Sequence, residues 1–299
     1  MTHVLTLIAN PASRPLDTPD IALARAVLPH LASAPDWLSE GEACDIRFTP
    51  DTDEPDAALT SKIRAALGEK PVDVVCQRVH KRRKRLLVAD MDSTLIGQEC
   101  IDEIADLLGI KAKVAAITER AMRGELAFEA ALRERVALLK GLEETALESL
   151  FEERITLNEG ARALACTMRA NGAHTVIVSG GFTIFTARVA EQAVFNAHHA
   201  NELEIRNGKL TGRVIEPILG QQAKLDALRR HSKSLGLTRQ ETLGLGDGAN
   251  DLAMIAEAGL GVAYHAKPIV AAEADARIDH GDLTAVLFAQ GYRRGEFVC

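Results

Sequence analysis

Short apolar runs alternate with helically spaced apolar positions along most of the chain. Val4–Ala9 predicts a strand, and Ile21, Ala24, Leu28 and Leu31 mark one face of a helix over 20–33. Residues 43–49 read as a strand, 54–68 as a helix and 72–77 as a strand. That β-α-β-α-β order predicts a small α/β module over 1–80. From residue 86 the rhythm is firmer. Strands are predicted at 86–90, Thr175–Val178, Thr242–Gly246 and Gly261–Tyr264. Helices are predicted from about Phe182 and over 221–235 and 251–258, with a last strand and helix to follow. Asn207-Gly208 predicts a hairpin over 203–214. Strands alternating with helices imply an α/β fold, a Rossmann-like doubly wound parallel sheet with its site at the strand C-termini. An all-helical stretch over about 98–170 breaks the alternation and reads as a cap inserted after the first core strand.

The expected organisation is therefore a module at 1–80, a linker at 81–85, and a capped domain at 86–299. The linker is the basic pentamer Lys81-Arg82-Arg83-Lys84-Arg85, read as a solvated connection. A formal net charge of −7 and the lack of interleaved aromatics argue against nucleic acid as a partner. No apolar run is long enough to span a bilayer, and no basic segment precedes the N-terminal apolar run, so neither a membrane nor secretion is expected. Cys44, Cys76, Cys100, Cys166 and Cys299 are scattered, which predicts reduced thiols in a cytoplasmic protein. His174, His265 and the pair His198-His199 lack the carboxylate or cysteine spacing of a metal centre and read as structural or solvated.

Three predicted strand ends carry complementary polar groups. The first gives Asp90, Asp92 and Thr94. Period-two alternation points the two carboxylates the same way, and such a pair is costly unless a cation or shared proton separates them. The second gives Ser179, Gly180 and Gly181 at a helix start, a phosphate cradle. The third gives Asp247, Asn250 and Asp251, with Lys224 on a helix between the second and third. Asp90 and Asp247 suit a hard cation such as Mg²⁺. A carboxylate beside Mg²⁺ and phosphate can attack phosphorus, and a second carboxylate two residues on can serve as acid and then base.

In this order, Asp90-Met-Asp-Ser-Thr94, Ser179-Gly-Gly181, Lys224 and Gly246-Asp-Gly-Ala-Asn-Asp251 resemble the haloacid dehalogenase superfamily, most closely its phosphoserine phosphatase branch, over about 86–290. The resemblance implies Mg²⁺-dependent hydrolysis of O-phospho-L-serine through an aspartyl-phosphate, the last step of serine biosynthesis. It casts Asp90 as nucleophile and Asp92 as acid and base. It gives Mg²⁺ to Asp90, Asp247 and the main-chain oxygen of Asp92. Phosphate would be held by Ser179, Gly180, Gly181, Lys224 and Asn250, with Thr94 and Asp251 in support. In the cap, Glu99 would receive the substrate amine, Arg135 its carboxylate, and Met122 and Phe128 would form an apolar wall. The N-terminal module resembles a divergent ACT domain, which implies homodimerisation or amino-acid sensing as a further role. Action on another small phosphorylated metabolite, or phosphoryl transfer to another hydroxyl, is the nearest alternative.

Overall fold

A computed structural model of the chain describes residues 1–29, 32–50 and 56–299, apart from the side chain of Met122. The N-terminal module comprises β1 (His3–Ala9), α1 (Thr18–Val27), β2 (Asp36–Ser39), β3 (Ala43–Phe48), α2 (Asp56–Leu67) and β4 (Val72–Arg78). Its sheet is antiparallel in the order β2-β3-β1-β4, a ferredoxin-like split βαβ arrangement. Strand β2 is absent from the sequence expectation. It is a four-residue edge strand in which only Leu38 is buried, so it carries almost no apolar signal. Helix α1 ends before Pro29, which disfavours helical backbone at Leu28, extended here. Leu31, expected on this helix, and residues 54 and 55, expected to begin the next, lie outside the described residues.

The larger domain begins with β5 (Leu86–Ala89) and continues through α3 (Cys100–Leu107), α4 (Lys111–Met122), α5 (Phe128–Ala137), α6 (Glu144–Arg154) and α7 (Ala161–Ala170). It then runs through β6 (His174–Phe182), α8 (Thr183–Gln192), β7 (Ala197–Arg206), β8 (Lys209–Ile215), α9 (Ala223–Ser234), β9 (Thr242–Gly246) and α10 (Leu252–Glu257). It closes with β10 (Leu260–Tyr264), α11 (Pro268–Glu273), β11 (Ala276–Ile278) and α12 (Ala285–Ala289). The sheet order is β11-β10-β9-β5-β6-β7-β8, parallel except for the β7–β8 hairpin. Every residue of β5 is fully buried, as a parallel strand covered on both faces requires. The chain winds from β5 to one side and later to the other, so the switch point, where a doubly wound sheet opens a crevice, lies at the C-terminal end of β5.

Helices α3–α6 stand over that crevice. The turn between α5 and α6 is tied to the β7–β8 hairpin by backbone bonds between Gly141 N–H and Leu210 C=O, Leu210 N–H and Leu142 C=O, and Glu144 N–H and Gly208 C=O, at 2.8, 2.8 and 2.9 Å. Helix α7 packs on β6 and α12, so it belongs with the sheet although the helical stretch was expected to run to about 170.

Two expectations need correction. The basic pentamer is not a solvated linker. Arg82 and Lys84 are buried, and Arg82 donates to both carboxylate oxygens of Asp45, to Thr6 Oγ1 and to the main-chain oxygens of Phe288 and Ala289. It joins the N-terminal sheet to the C-terminal helix of the core, an end use that charge counting along the sequence does not show. Nor are all five cysteines free. Cys166 on α7 and the terminal Cys299 form a disulfide across 133 residues, while Cys44, Cys76 and Cys100 are free and buried. A pair so far apart in sequence leaves no spacing signal. Among the described residues, no helix is long and apolar enough to cross a membrane.

Candidate active site

After β5 the chain turns so tightly that the Met91 carbonyl accepts N–H groups from Thr94, Leu95 and Ile96. Ser93 takes a left-handed φ of 56° within this turn, a conformation costly for serine and typical of functional loops. The turn presents Asp90 and Asp92 to a cavity of about 190 Å³. Asp90, Asp92, Glu99, Phe128, Arg135, Ser179, Gly180, Gly181, Asp247 and Asn250 all line it. Lys224, Asp251 and Thr94 lie buried beneath. Met122 closes α4, and its side chain lies outside the described residues.

Under the floor, Lys224 Nζ lies 2.6 Å from both Asp90 Oδ2 and Asp251 Oδ1. Burial opposes the ammonium charge, but Asp90 and Asp251 outweigh it and hold the lysine protonated, its pKa above the usual value. Asp251 also accepts the Gly248 N–H at 3.0 Å. Gly246 is required here, because a Cβ at that position would lie 2.3 Å from the Asp251 carboxyl carbon.

Asp92 is held from both sides of the cleft. Its Oδ1 accepts the Cys100 N–H at the start of α3 at 2.9 Å, and its Oδ2 accepts the Ser179 hydroxyl at 3.1 Å. Burial raises its pKa, the neighbouring Asp90 charge adds to that, and the bonds from Cys100 and Ser179 oppose it. Asp247 is likewise raised, by burial and then by Asp90, with Lys267 and Lys224 opposing. Asp90, Asp247 and Asp251 each place a carboxylate oxygen within 4.8 Å of the others. This crowded set of hard oxygens, with burial and the Asp90 charge driving both Asp247 and Asp251 toward their neutral forms, fits a divalent cation.

The cap wall is looser. Arg135 donates only to its own helix, Nε to Ala131 O at 3.3 Å, and forms no ion pair among the described residues. Burial lowers its pKa, while Asp102 and Glu99 pull it back. Glu99 accepts the Ser93 hydroxyl at 2.6 Å. Although the residue as a whole is exposed, its carboxyl end is desolvated in the cleft and faces Asp92, Asp90 and Asp247, which together push it up to about 7. The Phe128 ring would sit 3.2 Å from a Cβ at Gly180, so the bare glycine lets the cap approach the second strand end.

Gly248, within the third motif, also lines the cavity, as do Lys267, Ile101, Leu132 and Phe182, which were not anticipated. Lys267 follows β10, and its N–H bonds Asp247 O at 3.1 Å. Its signal was available: it follows a fourth parallel strand and precedes Pro268 at a helix start.

A family model for haloacid dehalogenase-like hydrolases matches residues 87–256. A phosphoserine phosphatase of Archaeoglobus fulgidus is 40% identical over 248 residues, covering 82% of this chain and 72% of that protein. One of Polaromonas is 44% identical, covering 68% of this chain and 88% of that protein. Among solved structures, an unliganded probable phosphoserine phosphatase of Vibrio cholerae superposes with a TM-score of 0.80 at 33% identity, covering 99% of this chain and 88% of that one. A HAD-family hydrolase of Salmonella enterica serovar Typhi superposes with a TM-score of 0.85 at 27% identity, covering 96% and 98%.

Proposed function

The chain belongs to the haloacid dehalogenase-like hydrolases, within their phosphoserine phosphatases, and from that premise we propose that it hydrolyses O-phospho-L-serine to L-serine and phosphate. One observation carries the proposal: a single cavity holds Asp90, Asp92 and Ser179 on its sheet side and, on its cap side, an acid, Glu99, and a guanidinium without an ion pair among the described residues, Arg135. The first set suits phosphoryl transfer. The second suits the ammonium and carboxylate of an amino acid.

Asp90 attacks phosphorus as the bond to the seryl oxygen breaks, giving an aspartyl-phosphate. Asp92, whose raised pKa favours a proton on it, delivers that proton to the leaving oxygen. The resulting carboxylate takes a proton from a water that attacks the aspartyl-phosphate, releasing phosphate and restoring Asp90. Ser179 and the Gly180 amide hold the phosphoryl oxygens, with Asn250 at the rim, while the Gly181 N–H steadies Ser179 by donating to its Oγ at 2.9 Å. Lys224 fixes Asp90 from below, and Asp251 fixes Lys224. Asp90, Asp247 and the main-chain oxygen of Asp92 would hold Mg²⁺, which when bound supplies positive charge against the phosphate dianion. Arg135 and Glu99 orient the amino-acid end, and Phe128 shields the reacting end from water.

The test is phosphate release from L-phosphoserine against a panel of small phosphates, including an aryl phosphate and phosphohomoserine, with and without Mg²⁺. A marked preference for L-phosphoserine that needs the metal is expected. Equal rates across the panel would remove the substrate assignment while leaving the phosphatase chemistry.

A further inference from the structure

The outer face of the core sheet carries imidazoles that the cleft does not use. His199 on β7 and His231 on α9 face each other with their Nε2 atoms 3.2 Å apart. His174, at the start of β6, stacks on His231 with ring centroids 5.3 Å apart. The other histidines singled out in the sequence have different partners: His198 Nδ1 meets Thr186 Oγ1 at 3.0 Å, and His265 Nε2 meets Gly281 O at 3.0 Å.

A tetrahedral ion with nitrogen ligands at 2.0–2.1 Å spans an N···N edge of about 3.4 Å. The His199–His231 separation is close to that edge. We infer that His199 and His231 form two ligands of a site for a borderline divalent metal of the Zn²⁺ class, joining α9 to β7. Imidazole favours such ions, whereas the all-carboxylate cluster in the cleft favours Mg²⁺, so the two sites select different metals. On the β7 side the site opens to solvent, because His199 lines a cavity of about 830 Å³ together with Asp226 and Arg230.

The surroundings keep the ligands in the form that binds metal. Burial, and then the neighbouring imidazoles and Arg230, push His231 down to about 4. Burial with Arg230 and His198 lowers His199, and burial with Arg169 lowers His174. The imidazoles therefore stay neutral at neutral pH, and each can offer a metal the ring nitrogen that carries no proton. Bound metal would fix α9 about two turns, roughly 10 Å, from Lys224.

The experiment uses the full chain with Mg²⁺ in excess, so that the carboxylate cluster is saturated. Equilibrium dialysis against Zn²⁺ should give one more bound equivalent for the wild type than for the His199→Gln/His231→Gln double variant, with at least tenfold weaker zinc binding in the single variant His199→Gln. X-ray absorption at the zinc edge of the wild type should show two imidazole nitrogens per metal, one more than the Asp73, Asp279 and His280 cluster could supply. That measurement stands even if the double variant does not fold. Equal zinc stoichiometry in wild type and variants, or a zinc spectrum with fewer than two imidazole nitrogens, overturns the inference. Because neither readout involves turnover, it stands or falls apart from the proposed reaction.

Discussion

The two walls of the cleft are built to different standards. On the sheet side, Asp90 is 5% exposed, Lys224 4% and Asp251 0%, and the lysine contacts both acids at 2.6 Å. On the cap side, Arg135 is half-buried and, among the described residues, bonded only to a carbonyl of its own helix. The sheet wall needs no substrate to be ordered, whereas the cap wall leaves its charge uncommitted. Chemistry common to any phosphate monoester can sit on a fixed frame. Choice among phosphate esters requires groups whose best partner is the substrate itself. The cap is nonetheless anchored, through the α5–α6 turn on the β7–β8 hairpin, so its freedom lies in side chains near the cleft.

The sharpest way to break this comparison is Asp90→Asn. We expect phosphate release from phosphoserine and from an aryl phosphate alike to fall by ~10³-fold or more, with unchanged circular dichroism. Retained activity would mean that the fixed wall does not carry the reaction. Lys224→Ala comes next. It leaves Asp90 and Asp251 buried without their counter-charge, so in metal-free protein the unfolding free energy from urea titration should drop by roughly 3–5 kcal/mol. A drop below about 1 kcal/mol would mean that the sheet wall is no more preorganised than the cap.

Arg135→Ala tests the other wall. It should lower kcat/KM for L-phosphoserine by about 10–100-fold, the scale of a lost charge-assisted pair, and leave the aryl phosphate within about twofold. Stability should hardly change, because the guanidinium has no ion pair to lose among the described residues. Equal losses on both substrates would move Arg135 from selectivity to general phosphate binding.

The same division explains what could be read from the sequence. The sheet wall was legible because rare residue types cluster at strand ends, and strand ends are recognisable from apolar runs. Asp90, Asp92, Ser179 and Asp247 meet in one cavity as that logic requires. The cap residues were legible only through family resemblance. Glu99 or Arg135 on a helix looks like any surface charge until the helix is placed over the crevice. Lys267 stands outside the three motif-bearing strand ends, because a fourth strand end also reaches the site. The Cys166–Cys299 and Arg82–Asp45 links escaped because each joins distant parts of the chain.

Glu99 gives the smallest expected effect and the finest test of the contrast. Its carboxyl titrates at about 7 in the fold against an ordinary value of 4.5, raised by desolvation and by Asp92, Asp90 and Asp247. A group whose folded pKa is raised contributes stability that is fully present below its unfolded value and is lost as pH rises through the folded one. In metal-free protein, the Glu99 contribution should therefore decline between about pH 4.5 and pH 7. Glu99→Gln should flatten that part of the stability profile, measured as the urea midpoint at several pH values, while costing only a few-fold in kcat/KM for phosphoserine. The substitution keeps the Ser93 hydrogen bond within reach and removes the charge. An unchanged pH slope in Glu99→Gln would place the titration on the sheet wall, in Asp92, Asp247 or Asp251, and the cap would then have no proton of its own to contribute to substrate choice.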